Sequence, residues 1–302
     1  MARRMVSAIM VLLLLALWCS AGEAGMREAE ELYRQKKFVE AEAEIRKVLQ
    51  EKPDAGGGTL QLLLGHTLNA QKKYPEAYLE FKKVAGIKGV AVNLAFLGEF
   101  NAAEALDSQR KDTEALVEFR RVLEMKDLHD NSRASVLLST ARILRRQEKL
   151  DEAEAEYRKI DGLKEITAHY RVSTLTALAN LLRDRKKFPE AITEYRKALA
   201  VEGIVPVQQA SIQMNIAGIV NLQGDKEAAV AEYRKAAAIE GAGDSQRATA
   251  YFEAGDLLKS LKKYDEASAE YRKVLALKET SEANRKRAEG SIAACEKLKA
   301  GA

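Results

Sequence analysis

The stretch that decides the fold is residues 179–198, ANLLRDRKKFPEAITEYRKA. Leu182 follows Ala179 by three residues, and Tyr195 follows Ala191 by four. Offsets of three and four residues place side chains on one face of an α-helix. A polar turn separates the two apolar faces, and Pro189 stands where the second helix begins, a position that tolerates a missing backbone N–H. The stretch therefore predicts a hairpin of two helices, which we call helix A and helix B.

The same pattern recurs seven times along the chain. A small residue lies twelve positions before an anchor alanine, and a large side chain lies four positions after it. The anchors are 36 residues apart once and then 38 residues apart, at Ala41, Ala77, Ala115, Ala153, Ala191, Ala229 and Ala267. The small residues are Ala29, Gly65, Ala103, Ala141, Ala179, Ala217 and Gly255. A fixed period of this length predicts stacked hairpins that bury one continuous core. The predicted repeats cover about 26–53, 59–90, 97–128, 135–166, 173–204, 211–242 and 249–280, with a capping helix at about 282–299.

These residues resemble the tetratricopeptide repeat (TPR) family, which has a small residue, a leucine or tyrosine three later, an alanine nine after that and an aromatic four further on. The resemblance covers about residues 26–275. It implies an all-α fold, a right-handed α-α superhelix of seven helical hairpins with a C-terminal capping helix. The usual period of the family is about 34 residues, and these copies are longer. Because apolar residues such as Val201 and Leu277 recur after helix B, we expect the extra residues to lie there, in helix B or the linker.

In the resembling family, helix A lines the concave surface of the solenoid. Residues one and four positions after the small residue should therefore face a groove. The first row is Glu30, His66, Glu104, Arg142, Asn180, Gly218 and Asp256. The second row is Tyr33, Asn69, Asp107, Arg145, Arg183, Asn221 and Lys259. The candidate partner-binding residues are these side chains apart from Glu30, Tyr33 and Gly218.

Arg142, Arg145 and Arg183 fall in the fourth and fifth repeats and make the centre of the predicted groove basic. Guanidinium groups bind carboxylates through two parallel hydrogen bonds, so one hypothesis is that they bind an acidic or carboxylate-bearing segment of a partner. The alternative is that they pair with neighbouring acids inside the solenoid. Both interpretations stay open at the level of sequence.

Helix B carries a repeated charge pattern, with a glutamate three residues after every anchor and Lys or Arg two and three residues beyond it. The basic residues could form a ladder for phosphates or anionic lipid. Because each basic pair has its own glutamate one turn away, we favour a solvated surface with spaced ion pairs.

Catalysis has little support in the sequence. The chain has three histidines and two cysteines, and none of them shows metal-ligand spacing. No phosphate-binding loop or nucleophile motif is present, so we predict no enzyme activity, no metal and no cofactor. A formal net charge of +4 over 302 residues does not indicate nucleic acid.

The N-terminus predicts export. Arg3 and Arg4 precede an apolar run at 11–18, and Ala21, Gly22 and Ala24 follow it. This order is typical of a secretory signal peptide over residues 1–24, with cleavage after Ala24 or after Ala21. We expect a periplasmic or secreted protein with no stable membrane span after cleavage. An uncleaved signal and a lipid on Cys19 are the less favoured alternatives, and Cys295 would be the remaining cysteine.

The sequence therefore predicts a non-enzymatic exported scaffold that binds a protein or extended peptide in the concave groove of a TPR solenoid. Two alternatives remain. One is a structural protein that associates with itself, and the other is an accessory subunit of an envelope biosynthesis or assembly complex.

Overall fold

A computed structural model describes residues 24–52 and 55–301, and every regular element in this part of the chain is helical. The helices are α1 (24–34), α2 (Phe38–Glu51), α3 (Thr59–Ala70), α4 (Tyr74–Ala85), α5 (Val92–Ser108), α6 (Asp112–Leu123), α7 (Asp130–Arg146), α8 (Leu150–Asp161), α9 (Ala168–Asp184), α10 (Phe188–Leu199), α11 (Pro206–Leu222), α12 (Lys226–Ala237), α13 (Asp244–Ser260), α14 (Tyr264–Leu275) and α15 (Glu282–Ala300). Odd-numbered helices from α1 to α13 are helix A of the predicted repeats, and even-numbered ones are helix B. The predicted signal peptide, except Ala24, lies outside the described residues.

The chain divides into two compact units, Met1–Glu148 and Lys149–Ala302. Helices α1–α7 belong to the first unit and α8–α15 to the second. Each unit is described by itself below.

The anchor alanines lie in the core of their units. All seven have no solvent-exposed surface, and the aromatic side chains four residues after them are buried in α4, α6, α8, α10, α12 and α14. Phe81, Phe119, Tyr195 and Tyr271 are among the largest fully buried side chains. The core predicted from the repeat is confirmed for these positions, and its stability comes from apolar surface removed from water.

The small residue of helix A allows close approach of helix B. A Cβ atom added at Gly65 would lie 2.4 Å from the ring of Phe81, and one added at Gly255 would lie 2.6 Å from the ring of Tyr271. Such distances are far inside van der Waals contact, so glycine is required where the ring packs directly on the helix A backbone. Ala141 and Ala179 occupy the same position in other repeats and are fully buried.

The turn between helix A and helix B places one residue in the left-handed region. In the fifth repeat, the N–H of Lys186 donates to the carbonyl of Arg183 at 2.8 Å, and the N–H of Lys187 donates to the carbonyl of Leu182 at 2.9 Å. The second bond is the 6→1 bond of a Schellman motif. The residues with φ between 60° and 62° at this position are Lys36, Lys72, Arg110, Glu148, Lys186 and Lys262. The sixth repeat has Gly224 there, with φ 93°.

The extra residues of each repeat mainly lengthen helix A, which corrects the expectation that they lie after helix B. Helix α3 has 12 residues, whereas α5, α7, α9, α11 and α13 have 17 residues each. In the sixth repeat, Pro206 occupies the first turn of α11, where its fixed φ favours a helix start. The linker after helix B accounts for a smaller part of the extra length of the repeat. There, the N–H of Val201 donates to the carbonyl of Ala198, and Leu277 is buried.

The glutamate of helix B pairs with the base three residues later in all seven repeats, which confirms the predicted ion pairs. The pairs are Glu44–Lys47, Glu80–Lys83, Glu118–Arg121, Glu156–Lys159, Glu194–Lys197, Glu232–Lys235 and Glu270–Lys273, with N–O distances of 2.7 to 3.5 Å. Some of these glutamates also bind the preceding helix B. Lys82 reaches Glu118 at 3.2 Å, and Arg234 reaches Glu270 at 2.7 Å. These two ion pairs join the second hairpin to the third and the sixth hairpin to the seventh.

The predicted capping helix is α15. The side chain of Ser281 accepts a hydrogen bond from the N–H of Asn284 at the start of this helix, and Ala288 and Cys295 are buried against the last hairpin. Lys299 pairs with Asp265 at 2.7 Å. The polar outer face of α15 covers the apolar end of the second unit, as the terminal helix of a solenoid must.

Candidate partner-binding surface

Each unit has an open pocket on the same face of helix A. In the first unit, a pocket of about 320 Å³ lies between α1 and α3 and includes Glu30, Tyr33 and His66. In the second unit, a pocket of about 540 Å³ includes Arg183 of α9 and Gly218 of α11. These five residues stand one or four positions after the small residue of their helices. The structure therefore places residues of both predicted rows at open surface.

His66 and Asn69 lie on α3 in the first unit. The ring of His66 contacts the ring of Phe81 edge-on, with centroids 5.1 Å apart. Burial lowers the pKa of the His66 imidazole below its usual value of 6.5, so the ring is held neutral near physiological pH. The Oδ1 atom of Asn69 is buried and accepts no hydrogen bond from the described residues.

Arg142 of α7 binds acids of α5 within the first unit. Its Nη2 atom lies 2.9 Å from Oε1 of Glu104 and 2.8 Å from Oδ2 of Asp107. Asp107 is buried and also accepts a hydrogen bond from Arg146. Hydrogen bonds to Asp112 and Asp107 raise the pKa of the Arg146 guanidinium above its usual range, although burial opposes this. The internal pairing that the sequence left open is therefore present at Arg142.

Arg145 and Arg183 belong to different units. Arg145 lies half-buried on α7 in the first unit. Arg183 lies on α9 in the second unit, where its Nη2 atom is 3.0 Å from Oδ1 of Asp184. That the three arginines form one basic cluster stays a prediction.

A hydrogen bond between helix A and helix B was missed at the level of sequence. The hydroxyl of Tyr195 donates to Oδ1 of Asn180 at 2.7 Å, and the hydroxyl of Tyr271 donates to Oδ1 of Asp256 at 2.7 Å. In both cases the partner is the residue after the small residue and lies fifteen positions before the tyrosine. The recurring tyrosine and the polar residue after the small position were the available signal. We call this hydrogen bond the tyrosine rung.

Asp256 is also the centre of an ion-pair group in the second unit. Lys259 approaches its Oδ1 at 3.3 Å, and Arg287 of α15 approaches its Oδ2 at 3.1 Å. Arg287 lies over the ring of Phe252, 3.9 Å from the centroid. Asn221 lies half-buried near the end of α11. Asp256 and Lys259 are thus committed to contacts within the chain.

Comparison with protein families identifies the repeat. Residues 176–245 and residues 248–281 match models described as tetratricopeptide repeat. The matched residues extend from the second half of α9 past the end of α14, with the small residue, the anchor alanine and the aromatic in place. These residues belong to the tetratricopeptide repeat family. The resemblance predicted from the sequence is therefore confirmed.

Solved structures share the fold of this TPR protein. A tetratricopeptide repeat protein from Parabacteroides merdae is 15% identical, with 90% of this chain and 98% of that chain covered and a TM-score of 0.54. The apo form of RapI is 15% identical over 86% of this chain and 77% of that chain, with a TM-score of 0.62. The C-terminal part of a TPR repeat-containing protein from Cytophaga hutchinsonii is 14% identical over 86% and 98%, with a TM-score of 0.60. At these identities the likeness shows the fold alone, an all-α TPR solenoid.

A search of curated proteins found no significant match to this TPR protein. Within residues 24–52 and 55–301, no group of three or more His, Cys, Asp or Glu side chains is placed to hold a metal ion. None of the helices in that part of the chain combines the length and the apolar composition needed to cross a membrane. Proteins of this family in general bind other proteins or peptides, and the surface on helix A is the candidate site.

Proposed function

We propose that this TPR protein is an exported, non-enzymatic scaffold that binds a protein or extended peptide on the helix A surface. The observation that carries the proposal is the open pocket in each unit on the same face of helix A. In the second unit this pocket combines polar side chains with Met214 and Leu222, and Leu222 is 62% exposed. A mixed surface of this kind suits a peptide, which needs both hydrogen bonds and apolar contact.

Export is supported by the sequence of the N-terminus. Arg3 and Arg4 precede the apolar run, and small residues follow it. A cleaved signal would leave a chain beginning near Gly25. The expected location is the periplasm or the exterior of the cell, and N-terminal sequencing of the exported protein would test it.

An acidic partner segment remains part of the proposal. Arg183 lines the pocket of the second unit, but its guanidinium already forms an ion pair with Asp184. A partner carboxylate would therefore bind Arg183 by displacing Asp184. The double variant Arg145→Ala, Arg183→Ala should weaken an acidic partner, and unchanged affinity would exclude this contact.

Site-specific photocrosslinking tests the scaffold function. A photoreactive residue at Leu222 should capture one dominant partner from cells that express the protein, because Leu222 lines the pocket. Leu298 is the matched control, since it is an exposed leucine on α15 and does not line that pocket.

The crosslinking outcomes separate the candidate functions. A partner captured at Leu222 and not at Leu298 supports the proposal. Crosslinks between copies of the chain at Leu222 would instead support the self-associating structural protein. Capture of the same proteins at both positions would contradict a specific site on the helix A surface.

A further inference from the structure

The tyrosine rung is absent from the sixth repeat. Tyr233 occupies the position of Tyr195 and Tyr271 on helix B, but the residue fifteen positions before it is Gly218. Gly218 has no side chain to accept a hydrogen bond, and the Tyr233 hydroxyl makes none with the described residues. The hydroxyl therefore borders the pocket of the second unit instead of being closed off by helix A.

Packing does not require the glycine at this position. A Cβ atom added at Gly218 would lie 3.7 Å from the Tyr233 hydroxyl oxygen, which is ordinary van der Waals contact. This differs from Gly65 and Gly255, where a Cβ atom would overlap an aromatic ring. A glycine inside a helix is less favourable than an alanine, because it loses more backbone freedom on folding. The glycine at Gly218 thus lowers helix stability and leaves a notch beside Tyr233 on the helix A surface.

The charge at this notch is negative. Glu253 of α13 lines the same pocket, its side chain is exposed, and it makes no ion pair within the described part of the chain. Arg183, the basic residue of this pocket, has Asp184 as its partner. Glu253 and Tyr233 line the same pocket, and burial together with the charge of Glu253 raises the pKa of Tyr233 to about 12, so the phenol stays protonated. The uncompensated group is therefore the Glu253 carboxylate.

We propose that the notch between Gly218 and Tyr233 binds a basic side chain, lysine or arginine, of the partner peptide, with Glu253 as its counter-ion. The inference rests on the proposed function and adds a specificity to it. The cationic group would donate hydrogen bonds to the carboxylate of Glu253 and to the hydroxyl oxygen of Tyr233. The aliphatic stem would pack on Met214 and on the tyrosine ring, as long basic side chains do on apolar surface.

Peptide selection on the purified full-length protein tests this inference. The probe is a phage-displayed library of random linear peptides, and the affinity of selected peptides is then measured by isothermal titration calorimetry. We expect a lysine or arginine at one fixed position of the selected sequences. Its replacement by alanine should weaken binding about tenfold or more, since hydrogen bonds to charged groups contribute that much.

Two variants test whether the basic side chain of the peptide binds in the notch. Gly218→Asn should weaken binding about tenfold or more, because the asparagine restores a tyrosine rung and fills the notch. Glu253→Gln should weaken the same peptide by a similar factor, and the loss should vanish for the peptide whose basic residue is alanine. The matched controls on α15 are Gly290→Asn and Glu289→Gln, at exposed positions outside the pocket. Both controls should bind like the wild type.

The outcomes distinguish the inference from the function on which it rests. Selected peptides that bind the wild type and both notch variants equally would overturn the inference and leave the scaffold function standing. Selected peptides without a basic position would do the same. Failure to select any peptide, together with no specific crosslink at Leu222, would contradict the proposed function itself.

Discussion

Asn180 of helix A holds the hydroxyl of Tyr195 of helix B, with 2.7 Å between Oδ1 and the hydroxyl oxygen. This bond fixes a side chain of the predicted groove to the core of its own hairpin. Its counterpart between Asp256 and Tyr271 has the same length. Residues of the first predicted row can therefore form hydrogen bonds within their own hairpin. Which of them can contact a partner differs from repeat to repeat.

Removing the hydroxyl of Tyr195 tests the tyrosine rung. Tyr195→Phe should lower the free energy of unfolding by about 1 kcal/mol or more, because the oxygen of Asn180 then loses its donor. Tyr233→Phe is the matched control and should change the stability little, since Gly218 offers no such partner. Urea denaturation measures both. Equal losses for the two variants would show that the rung contributes nothing specific.

Glycine in the left-handed turn should stabilise the protein. Lys186 has φ 60°, a conformation that costs a residue with a side chain about 1 kcal/mol. Lys186→Gly should therefore raise the free energy of unfolding by up to about 1 kcal/mol, as glycine favours this position. Lys187→Gly, at the next residue with φ −81°, is the control and should bring no gain. A melting temperature that falls for Lys186→Gly would contradict the turn geometry.

Replacing two helix A glycines by alanine should change the free energy of unfolding in opposite directions. Gly255→Ala should destabilise the protein by about 1–3 kcal/mol, because its Cβ would lie 2.6 Å from the Tyr271 ring. Gly218→Ala should stabilise it by up to about 1 kcal/mol, because the Cβ has room and alanine favours a helix. Thermal or urea unfolding of the two variants, made side by side, checks the prediction. Destabilisation by Gly218→Ala would show that packing needs this glycine as well.

Because His66 is buried, the free energy of unfolding should fall as the pH is lowered. Burial lowers the pKa of the folded-state imidazole below 6.5, so the unfolded chain binds the proton more readily than the folded chain does. The contribution is present above about pH 6.5 and is lost as the pH falls through the lower folded-state value. His66→Gln should therefore flatten the pH dependence of unfolding below pH 6.5. His129→Gln, at an exposed position, is the control, and an identical pH dependence in wild type and His66→Gln would refute the assignment.

The repeat could be predicted because its landmarks are strictly spaced. Ala191 and Tyr195 follow the small residue Ala179 at offsets that only a hairpin of two helices brings together. The length of helix A could not be predicted in this way, because residues such as Gln208 carry no landmark and lie between the predicted repeats 173–204 and 211–242. Pro206 at the first turn of α11 was the available signal for a longer helix.

For the candidate site, the sequence predicted only which face of helix A lines it. Sequence spacing placed Arg142 and Arg183 on the exposed side of helix A, and Glu104 and Asp107 with them. It did not show that Arg142 pairs with Glu104 and Asp107, or that Arg183 pairs with Asp184. Which acid a guanidinium binds depends on side-chain rotamers and on distances between neighbouring helices. Those quantities are set by packing, so the competition between an internal pair and an external ligand was left open.

The sequence by itself determined the all-helical fold, the hairpin boundaries near each anchor alanine and the ion pairs along helix B, because each depends on spacings within one or two turns of helix. The tertiary structure alone decided that Asn180 and Asp256 hold tyrosines of helix B, and that the hydroxyl of Tyr233 borders the pocket lined by Gly218 and Glu253. These relationships join residues of different helices. They exist only once the close packing of small and aromatic residues has fixed the distance between the helices.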